Sequence, residues 1–164
     1  MYVLCARIQL QSPRPCERRP PGVRYYFSMP ENLADQDLRT RSFASTNMAG
    51  ANLAGSNLAG GDLFDVNLSG ADLTGANLSG AELSDATATS ANFTGANLRG
   101  ARIKGAYLWS ANLTGADLSG ANLTDANLTG ANLTGANLTG ANLNRVNGLE
   151  TANLSGVIGY SPKQ

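Results

Sequence analysis

From Ala111 to Asn144 an apolar residue returns at every fifth place: Leu113, Leu118, Leu123, Leu128, Leu133, Leu138 and Leu143. Alanine precedes each of these by two places, Asn or Asp by one, and Gly usually follows by two. The same frame runs back to Leu33, with Phe43, Met48, Phe93 and Ile103 in leucine's place. Five residues advance an α-helix by about 500°, so the leucines would wind around it without forming a stripe. A glycine at nearly every fifth place would cost a helix a further ~1 kcal/mol each. A simple strand fails as well, because an odd period alternates faces. The pattern predicts a coil that turns a corner every five residues, one short extended piece and one tight turn per repeat, with leucine and alanine inward. In a turn such as Leu-Thr-Gly-Ala, glycine at the second central place supplies the positive φ of a type II turn.

The corners carry a longer rhythm. Every fourth corner from position 45 reads Ser45, Asp65, Asp85, Gly105, Asp125, Arg145, whereas the columns Gly55 to Gly135 and Gly60 to Gly140 are unbroken glycine. A 20-residue super-period follows, four repeats making four sides, and the Asp-bearing column is expected to use a different turn type. Twenty-three central positions from 33 to 143 make nearly six circuits. At about 4.8 Å between parallel strands the rod is roughly 28 Å long. Fixed-period self-similarity of this kind marks a solenoid.

These residues resemble the pentapeptide repeat family, whose unit is Ala-(Asp or Asn)-Leu-X-X, over about residues 31 to 147. The resemblance implies an all-β fold, a right-handed quadrilateral parallel β-helix of about six coils, which agrees with the super-period. Thr87-Ala88 replaces Asn-Leu in one repeat. Ala88 stands between Leu68 and Leu108 in its column, so a void is expected there unless the ring of Phe93 fills it. Gly148 takes the place of a central leucine, and Ala152 to Gly156 resumes one residue out of frame. Residues 148–164 are therefore expected to form a C-terminal cap or tail, with Gly148 to Glu150 the loop where the regular solenoid ends.

Residues 1–30 share nothing with the repeats. Pro13, Pro15, Pro20 and Pro21 among arginines predict an extended, disordered arm. Met29 is a second candidate start, and Tyr25-Tyr26-Phe27 is placed to fold over the open end of the solenoid. Net charge is zero overall, but residues 1–30 carry +4 and residues 31–164 carry seven Lys or Arg against eleven Asp or Glu.

There is no histidine, which removes the commonest general base and transition-metal ligand. The two cysteines, Cys5 and Cys16, offer no zinc spacing and no disulfide framework. No catalytic, cofactor or metal site is expected. No apolar run approaches the ~18 residues of a membrane span, and residues 1–10 lack the features of a secretory signal. The expected location is cytoplasmic, with no membrane partner.

One circuit, residues 91–110, differs from the rest in its outward residues: Arg99, Arg102, Lys104, Tyr107 and Trp109. Tryptophan, tyrosine and arginine dominate interface hot spots, so this belt is the candidate surface for a protein partner. One circuit below it, Thr87, Thr89 and Ser90 are small enough to leave a shallow notch. A second group is acidic: Asp62, Asp65, Glu82 and Asp85 on one side and Asp72 on another. Some proteins of the family resemble duplex DNA in shape and charge and bind DNA gyrase, so the resemblance offers that as an alternative role. Arg102 and Lys104 interrupt the acidic side and weaken its field. The same few cations give no footprint for direct nucleic-acid binding. A convex rod without a pocket does not bring carboxylates together for catalysis or Ca²⁺. The readings are thus a non-catalytic interaction or scaffold module, a gyrase-directed DNA mimic, or a rigid spacer.

Overall fold

The computed structural model describes residues 32–161. The expectations for the arm of residues 1–30, for Met29 as a start, for the aromatic lid and for the two cysteines lie outside them. From Asn32 the chain winds as a four-sided parallel β-helix, each rung bridging the residue twenty places on: Asn32 to Asn52, Asp72, Asn92, Asn112 and Asn132 in one column. Side I carries the inward residues Leu33, Leu53, Leu73, Phe93, Leu113 and Leu133. Side II carries Leu38 to Leu138, side III Phe43, Leu63, Leu83, Ile103 and Leu123, and side IV Met48, Leu68, Ala88, Leu108 and Leu128. The core is this stack of leucines with the alanines two places before them, such as Ala71, Ala91 and Ala111, all buried. Each leucine so buried contributes roughly 1.5–3 kcal/mol before the ordering entropy of its repeat is subtracted.

A single repeat shows why the period is five. In Ala91–Gly95 the amide of Phe93 donates to the Asn112 carbonyl (2.7 Å), that of Gly95 to Thr114 (2.9 Å) and that of Asn92 back to Ala71 (2.9 Å). The amide of Ala96 closes the turn on the Phe93 carbonyl at 3.0 Å. The remaining amide, on Thr94, donates to the Oδ1 of Asn92 at 3.2 Å. Asn or Asp before each leucine therefore serves the backbone, because its side chain takes the one amide that neither the ladder nor the turn can reach.

The Asp-bearing corners keep a positive φ like the others. Asp65, Asp85 and Asp125 sit at 52°, 58° and 61°, beside Gly105 at 68°. Asp tolerates the left-handed region better than most residues. The turn bonds of this column run from 2.9 Å (Ala126 to Leu123) to 3.3 Å (Val66 to Leu63 and Ala106 to Ile103), overlapping the 2.9–3.1 Å of the other columns in the regular coils.

Beyond Asn147 the spacing grows from twenty to twenty-one, pairing Asn132 with Asn153 and Asn137 with Ile158. The extra residue is absorbed at Gly148, whose carbonyl accepts the amides of both Thr151 (3.1 Å) and Ala152 (3.0 Å). Gly148 has a φ of 85°, and a Cβ there would collide with the backbone of Thr129. The Thr151 hydroxyl accepts the Gly130 amide at 3.1 Å, standing in for the carbonyl that the insertion displaces.

At the Ala88 defect an apolar void of about 10 Å³ remains, lined by Ala88, Phe93, Leu83, Leu98, Ile103 and Leu108. Its lining is too apolar for water. At ~24 cal/mol per Å³ so small a void costs only about 0.2 kcal/mol, so the Phe93 ring has taken most of the missing leucine's space. Ala88→Leu is accordingly expected to lose ~1–3 kcal/mol by overpacking. Adding Phe93→Leu should recover at least ~1 kcal/mol of that loss. Urea denaturation of the two single variants and the double variant reads this coupling, and additive effects would show that Phe93 does not fill the site.

Candidate interaction surface

The belt residues occupy three sides of the rod. Arg99 lies on side II, Arg102 and Lys104 on side III, Tyr107 and Trp109 on side IV. Sides II and IV face opposite ways, so Arg99 does not share a surface with the aromatic pair. It is instead turned to Asp117, with 3.1 Å between Nη1 and Oδ2. The remaining four lie on the adjoining sides III and IV, with Lys104 in the turn at Gly105 and Trp109 in the next turn, at Ser110. Tyr107 precedes the inward Leu108 and Trp109 follows it as the first residue of the turn, and both are outward, 55% and 56% exposed. In neighbouring circuits their places are taken by Thr87 and Thr89 on one flank and Asn127 and Thr129 on the other.

The acidic residues are placed as the columns predict. Asp62 and Glu82 bridge on side III, Asp65 and Asp85 stand at its corner with side IV, and Asp72 is on side I. Arg102 approaches Glu82 at 3.4 Å. Burial works against the Glu82 charge, yet hydrogen bonding from Ser84 and the Arg102 guanidinium hold its carboxyl below the usual range. Farther along the same side Arg145 grips Asp125 at 2.6 and 2.8 Å, and this pairing depresses the Asp125 carboxyl. Phe64, 44% exposed between Asp62 and Asp65, is an outward aromatic that the repeat pattern alone did not bring forward. It is the one large apolar residue in a column otherwise reading Ala44, Ser84, Lys104, Thr124 and Asn144, and that contrast was its signal.

The amide two places after each ladder residue separates structural from surplus residues. On side I, Thr74, Thr94, Thr114 and Thr134 are each capped by the Asp or Asn before them. There the Thr hydroxyls also bridge to the next Asn, linking Thr74 to Asn92, Thr94 to Asn112 and Thr114 to Asn132 at 2.8–2.9 Å. Glu82 and Ser42 cap Ser84 and Ala44 in the same way. Within the regular coils the cap is missing at Thr89, Lys104 and Trp109, because Thr87, Arg102 and Tyr107 hold the Asn position. All three exceptions fall on the adjoining sides III and IV. Arg102 and Tyr107 have no acceptor to offer that amide, so at these places the coil forgoes the cap.

A family model for pentapeptide repeats (8 copies) matches residues 32–70, 67–105 and 111–147, more than half of the chain. The chain belongs to the pentapeptide repeat family. Family membership gives this four-sided helix its right hand. Among solved structures it is similar to HetL, a pentapeptide repeat protein involved in heterocyst differentiation regulation in the cyanobacterium Nostoc sp. strain PCC 7120. The two share 29% identity over 83% of this chain and 71% of that one, with a TM-score of 0.42. A pentapeptide repeat protein of the Arabidopsis thaliana thylakoid lumen shares 27% identity over 80% of this chain and 71% of that one (TM-score 0.38). QnrB1, a plasmid-mediated fluoroquinolone resistance protein, shares 19% over 78% and 89% (TM-score 0.31). No curated protein matches this chain. Among the described residues no helix is long and apolar enough to cross a membrane.

Two outcomes follow for this surface. Tyr107→Asn and Arg102→Asn restore the missing caps and should each raise stability by ~0.5–1.5 kcal/mol, read as a shift in urea midpoint. A loss of that size at either position would show that the side chain packs for structure. Asp125 has a depressed carboxyl in the fold, so its stabilising effect is complete above the ordinary carboxylate range and fades as pH falls through the lowered value. Arg145→Ala should move the Asp125 carboxyl titration, followed by NMR, back up toward 3.8, and the part of the acid loss of stability that this pair contributes should disappear. An unmoved titration would mean that the pair is broken in solution.

Proposed function

We propose that this protein is a non-catalytic interaction module that holds a protein partner on its adjoining sides III and IV. Trp109 and Tyr107 are the anchors, and Arg102 and Lys104 flank them. The observation that carries this reading is the run of three missing caps: at Arg102 and Tyr107 the coil gives up a backbone hydrogen bond to display hot-spot residue types. Arg99, on the far side and paired with Asp117, belongs to the wall of the rod.

The alternative, a DNA mimic directed at DNA gyrase, would use Asp62, Asp65, Glu82 and Asp85, with Asp72 outside the strip. It asks for an uninterrupted line of negative potential. On side III that line meets Arg102 beside Glu82 and Arg145 beside Asp125, which favours the partner-binding reading.

The test is retention of host proteins by the immobilised full chain, by Trp109→Ala and by the triple variant Asp62→Asn, Glu82→Gln, Asp85→Asn. A partner retained by the wild type and the triple variant should bind Trp109→Ala at least ~30-fold more weakly, the effect of losing a ~2 kcal/mol anchor. Gyrase retained by wild type and Trp109→Ala, but lost by the triple variant, would replace this reading with mimicry. No specific retention by any of the three would leave a rigid spacer.

A further inference from the structure

We propose that Asn147 is a site of self-modification, where the chain's own backbone converts the asparagine to isoaspartate and aspartate. Asn147 is the only asparagine followed by glycine. After every other asparagine stands Leu, Met, Phe or Arg, whose side chain crowds the peptide nitrogen that would attack the carboxamide.

The regular coil protects its asparagines in two ways, and Asn147 has neither. The amide after each ladder asparagine is bonded to the next rung: Leu113 donates to Asn132 at 2.7 Å, Leu123 to Asn142 at 2.9 Å and Leu128 to Asn147 at 2.8 Å. The carboxamide is held as well. Oδ1 of Asn112, Asn122 and Asn127 accepts both the amide and the hydroxyl of the threonine two places on. Among the described residues the Gly148 amide has no acceptor and the Asn147 carboxamide has no hydrogen bond. Asn147 is exposed, so water reaches it. Leu143, Arg145 and Leu154 also follow an asparagine with an amide unbonded among the described residues. Each of these carries a side chain, and Asn142 and Asn153 still cap Asn144 and Ser155.

The glycine itself is fixed by the fold. Its φ is 85°, a Cβ there would collide with the Thr129 backbone, and its carbonyl anchors the insertion through Thr151 and Ala152. The step from twenty to twenty-one residues therefore sets an unhindered amide beside a free asparagine side chain.

The reaction takes only water. The Gly148 nitrogen loses its proton and bonds to Cγ of Asn147, the Cγ–Nδ2 bond breaks, and ammonia leaves. Water then opens the cyclic imide. Cleavage between the nitrogen and Cγ gives aspartate; cleavage between the nitrogen and the main-chain carbonyl carbon gives isoaspartate, whose chain runs through Cβ and Cγ. Nothing is oxidised or reduced. Ring closure requires the rung bonds of Asn147 to open, and rungs near the end of a coil open most readily. In isoaspartate the carbonyl that accepts the Leu128 amide has become a free carboxylate, so the rung between Asn127 and Asn147 loosens.

The test ages the full-length protein and Asn147→Gln side by side at mildly alkaline pH. Peptide mapping by mass spectrometry locates each conversion, and an isoaspartyl methyltransferase with labelled S-adenosylmethionine counts the isoaspartate. Asn147 should convert at least about tenfold faster than any other asparagine, a barrier difference of about 1.4 kcal/mol. Its rate should rise with pH, because the attacking nitrogen must shed its proton. Methyl acceptance should be lost in Asn147→Gln, whose longer side chain has to close a larger ring. In the aged protein the Leu128 amide should exchange at least about fivefold faster than in fresh protein. Even conversion across the asparagines, or undiminished methyl acceptance in Asn147→Gln, overturns the proposal. Conversion confined to the urea-unfolded chain overturns it too, since the fold would then shield Asn147 like the rest. Isoaspartate at Asn147 with unchanged Leu128 exchange would sustain the site and overturn its effect on the rung.

Discussion

Every repeat of this coil has five backbone amides to satisfy and no helix or wide sheet in which to do it. The ladder takes three and the turn takes one. The last is reached only by a short side-chain acceptor on the residue before the leucine, which is why that residue is Asn or Asp nearly throughout. An unmet amide is a small loss on a hydrated surface and a large one where water is excluded. The Asn position is therefore a structural requirement that happens to face outward. The monotony of Ala-Asn-Leu-Thr-Gly reflects this closure as much as the packing of leucine.

Once the outward residues are occupied in this way, little of the surface is left for function. On side I the Asn and Thr side chains bond to one another from coil to coil, and their polar groups are already partnered. Among the described residues the interior is filled by leucine and alanine, with a small apolar void beside Ala88. What remains is the place where the pattern is broken. Sides III and IV of one circuit carry the exposed rings of Tyr107 and Trp109, the cations Arg102 and Lys104, and two of the missing caps. Charge alone would have pointed elsewhere, to the carboxylates of side III, but those are partly neutralised by Arg102 and Arg145.

The fold was legible because its period is stated so many times. Leucine at every fifth place and Asp at every fourth corner give four sides without any structure. The Ala88 gap and its filling by Phe93 were visible for the same reason, since a column can be read off by counting in twenties. That counting also separates Arg99 from Tyr107 by two sides, yet a belt within one circuit reads as one surface until the corners are drawn. The capping role of Asn was hidden because it depends on where one amide is left after the ladder has formed. Phe64 was masked as one aromatic among acids. The positive φ at Asp65 and Asp85 was obscured because Asp at a corner also suits a different turn.

Amide hydrogen exchange tests the central claim most directly, because it reads the disputed amide at each repeat. The amides of Lys104 and Trp109 should exchange at least about fivefold faster than those of Thr114, Thr124, Thr129 and Thr134, the factor that ~1 kcal/mol of hydrogen bond provides. The neighbouring ladder amides of Ile103 and Leu108 should be protected as well as those of Leu113 and Leu123. Equal protection at capped and uncapped turns would contradict the account: the Asn side chain would then not be closing the repeat, and its absence at Arg102 and Tyr107 would carry no functional meaning.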